Sequence, residues 1–109
     1  MDYGAIARDL LADIRLLFKW AKIPANEEEA QRIESRWARS FASAGVVYPA
    51  FVYSEALDSF FAQASAKDDP PLPGDILRHC RVVVERIERD PSRRPALERW
   101  RDERRGIKS

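Results

Sequence analysis

The sequence predicts an all-α fold: a small bundle of four to five helices with an arginine-rich C-terminal helix or tail. Apolar residues recur at three- and four-residue spacing along most of the chain, and prolines and glycines fall between those stretches. The one strand-like segment contains a proline and has no second strand to pair with. At 109 residues the chain is about one domain, long enough to bury a real core. Its hydrophobic fraction of 45% argues against global disorder.

The first helix is expected from about Asp2 to Lys22, where Tyr3, Ile6, Ala7, Leu10, Leu11, Ile14, Leu17, Phe18 and Ala21 form one stripe. Pro24 should end it, because proline disfavours helix in the residue before it. The second should open at Asn26, a capping residue followed three positions later by Glu29 in a variant capping box. Glu27, Glu28 and Glu29 suit the positive end of the helix dipole. Ile33, Trp37 and Phe41 stack at spacing four, and Gly45 is the natural stop.

Residues 45–53 are aromatic and β-branched and read as a packed connection, with room for a helical turn after Pro49. The third helix is expected to start with Ser54 as cap and to bury Leu57, Phe60, Phe61 and Ala64 before decaying into the polar run Ser65 to Asp69. Pro70 and Pro71 break it. Pro73 suits the first position of a fourth helix, Asp75 its first turn, and Ile76, Cys80, Val83, Val84 and Ile87 its stripe, which ends around Asp90 and Pro91. Beyond Ser92 only Ala96, Leu97 and Trp100 are apolar within a possible fifth segment. That predicts a frayed helix, or an extension of the fourth that bends near Pro91. The division expected is a helical body over 1–90 and an arginine-rich extension over 91–109.

Charge supports that division. The net charge is only +1, which argues against a surface coated uniformly for nucleic acid. Yet residues 1–75 carry 8 basic and 12 acidic side chains, whereas residues 76–109 carry 11 basic and 6 acidic ones. The single cysteine, Cys80, excludes an intramolecular disulfide and fits a reducing compartment. No run approaches the roughly 20 apolar residues that cross a bilayer. Met1, Asp2 and Tyr3 supply no basic leader region. A cytoplasmic chain without membrane contact is expected.

Chemistry-bearing constellations are scarce. His79 and Cys80 are adjacent, so on a helix they point about 100° apart and cannot share a metal. Cys80 reads as a small core residue and His79 as a solvated flank. The four glycines build no phosphate loop. Asp68, Asp69 and Asp75 look like solvation and capping groups rather than a catalytic carboxylate pair. A helix-turn-helix would need a shorter gap between the second and third helices. These readings predict a non-enzymatic protein with no cofactor and no metal.

One ordered set of residues is more specific. Trp37 centres a helix; a connection leads to Tyr53; Ser54, Glu55, Ala56 and Leu57 run into Phe61; then come Pro70, Pro71, Leu72, Pro73, Gly74, Asp75 and Ile76. This order resembles the N-terminal domain of phage replicative helicase loader/inhibitor proteins, over about residues 5 to 85. The resemblance implies a compact helical adaptor that binds a hexameric replicative DNA helicase until an origin-binding protein releases it. It also implies a C-terminal part, poorly ordered when free, that makes the helicase contact. The longer, more aromatic connection and the richer arginine content of the tail depart from the pattern. Apart from the resemblance, Trp37, Pro70, Pro71, Pro73, Asp75 and Ile76 read as residues that shape the fold.

The candidate partner surface is the tail: Arg93, Arg94, Leu97, Trp100, Arg101, Arg104 and Arg105. Tryptophan and arginine dominate protein interfaces, so an anchor for an acidic partner is the functional reading. A plain solvated end with Glu98–Arg94 and Glu98–Arg101 pairs stands against it. The alternatives are a small nucleic-acid-binding accessory protein that uses the same arginines on phosphate with Trp100 on a base, opposed by Glu98, Asp102 and Glu103, and a structural homo-oligomer whose seam is the run Val46 to Tyr53; a weak nucleic-acid contact is also compatible with the adaptor.

Overall fold

The computed structural model describes residues 1–64 and 69–106. Five helices follow one another: α1 (Tyr3–Leu17), α2 (Glu27–Ala42), α3 (Ala50–Gln63), α4 (Pro73–Glu88) and α5 (Arg94–Arg104). No strand occurs among the described residues, so the chain is a small all-α bundle. Its extents of 47 × 30 × 19 Å give it the thickness of two packed helices. The polar run 65–68, including Asp68, and the last three residues lie outside the described residues.

α1 starts where Asp2 accepts a hydrogen bond from Ala5 N (3.0 Å). It stops at Leu17, well before Pro24 and earlier than its apolar stripe suggests. Phe18 turns to an extended conformation, with φ −114° and ψ 124°, and its ring meets Phe60 and Phe61 at 5.9 and 5.4 Å between centroids. Packing of one aromatic ring thus ends the helix before proline can. The side chains of Leu16, Trp20 and Ile23 are left exposed in consequence.

α2 opens as its sequence dictates, with Asn26 Oδ1 accepting from Glu29 N at 2.8 Å. The Glu29 carboxylate pairs with Lys22 at 3.0 Å. Trp37 meets the fully buried Phe41 edge-on at 5.9 Å, and Phe41 packs on Tyr53.

α3 begins at Ala50, directly after Pro49, and not at Ser54. The reason is burial: Val52 and Tyr53 face the interior as helical residues and are wholly buried. This leaves Val46, Ala50 and Phe51 exposed among the apolar residues of the run that suggests an oligomer seam. The Tyr53 hydroxyl is buried near Tyr3 and the Tyr48 main chain, but at hydrogen-bonding geometry to neither. A buried, unsatisfied hydroxyl costs about 1–3 kcal/mol. Tyr53→Phe is therefore expected to hold or raise the melting temperature, and a fall of more than a few degrees would show that the hydroxyl is paired.

α4 starts at Pro73, with Asp75 folding back: its carboxylate accepts from Leu72 N at 2.9 Å and from Arg78 at 2.8 Å. Desolvation opposes ionisation of Asp75, but these two donors outweigh it and hold its carboxyl below the usual carboxylate range. Ile76 is fully buried, Pro71 buried and Pro70 half-buried.

α3 and α4 form the most extensive helix pair. His79 lies between them, buried, and not on a solvated flank. The angle between neighbouring helix positions predicts His79 outside when Cys80 is inside, but the α3–α4 contact is wide enough to cover both. His79 Nδ1 and Ser59 Oγ share a hydrogen bond of 3.0 Å, and the imidazole meets Phe60 edge-on. Burial pushes the His79 pKa below its ordinary value of 6.5, and Arg78 and Arg86 add to that against the pull of Asp75. Between about pH 6.5 and that lowered value the unfolded chain binds more protons than the folded one, so stability falls as pH drops through this window. Above it both states are neutral and the contribution is constant. Urea unfolding at pH 7.5 and 5.5 should show a loss on acidification that His79→Gln reduces; an equal loss in the variant would acquit His79. Cys80 is fully buried, its thiol pushed up to about 12 by burial.

Within the described residues, the extension packs on the body through α5. Leu97 on α5 is 1% exposed and belongs to the same core as Val83 and Ile87, and Trp100 packs half-buried against it. A single apolar turn suffices because α4 offers a finished surface to receive it. The helix is neither detached nor a continuation of α4.

Candidate functional site

α5 reaches its place through a turn written in the sequence. Asp90 Oδ1 accepts from Ser92 N (2.9 Å) and Ser92 Oγ (2.7 Å), a local bridge that reverses the chain after α4. Pro95 then stands in the first turn of α5, where its missing amide is not needed. Two charge pairs fix the helix on either side of Leu97. One nitrogen of Arg93 donates to both carboxylate oxygens of Glu55 on α3, at 2.7 and 2.8 Å, and Arg101 donates to Glu88 on α4 at 2.7 Å. Both pairs are partly exposed, so each contributes roughly 0–1 kcal/mol and orients more than it stabilises.

Between α5 and the 43–49 connection lies a groove of about 400 Å³. Val46, Val47 and Tyr48 form one wall, and Val84, Leu97 and Trp100 the floor. Arg101, Arg104 and Arg105 form the other wall. These three arginines line up because positions i, i+3 and i+4 share a helix face. They differ in state. Arg101 is held by Glu88 and Arg105 by Asp102 (2.9 Å), whereas Arg104 has no carboxylate partner among the described residues. Its guanidinium instead lies over the Trp100 ring, 5.2 Å from the centroid, a cation–π contact.

Five of the seven tail residues singled out from sequence therefore meet in one place. Leu97 does so from beneath: its side chain is interior and is not presented to a partner. Arg93 and Arg94 lie elsewhere. Arg93 borders a separate depression with Glu55, Asp58 and Arg86, and Arg94 pairs with Glu98 at 3.8 Å. The expected Glu98–Arg101 pair gives way to Glu88–Arg101. Sequence reasoning missed Val46, Val47, Tyr48 and Val84 as parts of this site. Their β-branched and aromatic character was visible, but the meeting of the Val46–Tyr48 stretch with Trp100, more than 50 positions away, is a product of the tertiary fold. Among the described residues no three His, Cys, Asp or Glu side chains converge as a metal-binding group, and no helix is long and apolar enough to cross a membrane. The chain matches no family model, no curated protein and no solved structure.

Proposed function

We propose that this chain is a non-enzymatic, stoichiometric adaptor that grips a protein through the groove between the connection and α5. The observation that carries this is the groove itself, with an apolar floor containing Trp100 and a wall of arginines. Aromatic floors with arginine rims are the composition of protein-binding hot spots. The partner we propose is a hexameric replicative DNA helicase, with release by an origin-binding protein. That choice is supported by the order of residues from Trp37 to Ile76.

Two features favour a protein over nucleic acid at this site. Arg104 already occupies a face of the indole on which a base would stack, and Glu98, Asp102 and Glu103 on the same helix repel phosphate. Size-exclusion chromatography of the chain with a purified replicative helicase at about physiological salt tests the reading. Co-elution without a DNA mobility shift is expected. A DNA shift that weakens steeply with salt, in the absence of co-elution, would overturn it.

A further inference from the structure

The connection that walls the groove has main-chain groups to spare. Gly45, at φ +76°, turns the chain out of α2, and Pro49 launches α3. Between them, Val46 and Val47 belong to neither helix nor strand, and their N–H and C=O groups form no hydrogen bond with any described residue. Val46 is 48% exposed and Val47 half-buried, and both line the groove beside its apolar floor. Both residues are β-branched, the type that favours extended pairing.

We propose that the groove takes an extended acidic peptide segment of the partner, laid along Val46 and Val47 as an added strand. This rests on the groove being the docking surface and specifies how it is used. An extended segment answers the free N–H and C=O of the one valine that turns them to the groove, since successive residues of an extended chain present theirs to opposite edges, and that pairing gives affinity. Its alternate side chains then fall onto Val84 and Trp100, and those between them reach the arginine wall. A helical partner satisfies its own main chain and is about 10 Å across, so it leaves Val46 and Val47 unanswered. Charge sets the occupant's sign. Arg104, without a carboxylate partner among the described residues, is the cation ready to receive one from the segment, and a basic segment would face three guanidinium groups. Burial of a carboxylate against Arg104 beside the indole also strengthens the pair relative to one in open water.

The test is a selection of random nonapeptides displayed on phage against the full-length chain, with Arg104→Glu as the counter-selection. Enrichment of acidic residues alternating with apolar ones is expected, lost with the variant. The best peptide is then made with single N-methylated amides. Methylation of the one amide that donates to the connection should weaken binding at least tenfold, and methylation of the amides turned the other way should change it less than about threefold. Enrichment at helical spacing, indifference to N-methylation, or no enrichment over the variant each overturns the proposal. Helicase co-elution is read separately, so a failed selection with co-elution intact sinks the peptide mode alone, and failed co-elution with a successful selection sinks only the choice of partner.

Discussion

Removing residues 91–109 is expected to destabilise the four remaining helices, and Leu97→Ala alone should reproduce most of that loss. Leu97 is 1% exposed and shares its core with Val83 and Ile87. Truncating a leucine in such a position costs about 2–5 kcal/mol from lost transfer and the cavity left behind. A domain of this size is held by roughly 5–15 kcal/mol in all, so the variant forfeits a large share. At about 4–8 °C per kcal/mol, the melting temperature should fall on the order of 10–40 °C. The truncation also strips Glu55 and Glu88 of their arginines, but those exposed pairs add little beside the leucine. The truncated chain also loses the packing of Trp100 on the core, so its thermal melt should lie somewhat below that of Leu97→Ala. A truncated chain that melts like the full one would return α5 to the status of a loose appendage.

The difference between that outcome and an expectation of an independent tail shows where sequence reasoning stops. The bundle was legible because α1, α2 and α4 each carry a wide apolar stripe, and because Asn26, Pro73 and Asp75 act within a turn of their own position. What was not legible depended on distant residues. The end of α1 is set by Phe60 and Phe61, which receive Phe18, and the start of α3 by the interior that receives Val52 and Tyr53. α5 is the sharpest case. Its own sequence offers one leucine and one tryptophan, too little to hold a helix in water. Its stability is borrowed from the surface of α4. Half of the candidate site was legible for a related reason: Trp100 and the arginines announce themselves by composition, whereas the Val46–Tyr48 wall acquires meaning only when the fold brings it opposite them.

Charge reversal at Arg104 should have the opposite profile to Leu97→Ala, although the two residues lie on the same helix. Arg104 is exposed and holds no carboxylate among the described residues, so Arg104→Glu gives up only a surface cation–π contact and a favourable charge at the end of α5, about 1–2 kcal/mol at most. Its effect belongs to binding. The variant removes the cation aligned over Trp100 and sets a carboxylate where an acidic partner must lie, adding repulsion to the lost attraction. A central hot-spot arginine contributes about 2 kcal/mol or more, which is a weakening of roughly thirtyfold in affinity for the proposed partner. Trp100→Ala should weaken binding comparably, but with a lowered melting temperature because the indole also packs on the core. Raising salt separates the two contributions: the charged part is screened, whereas the apolar floor is not. Partial retention of helicase binding by the native chain at high salt, with little left in Trp100→Ala, is the pattern this groove requires. An Arg104→Glu chain that binds as tightly as the native one, measured by titration at physiological salt, would move the docking surface off α5 altogether.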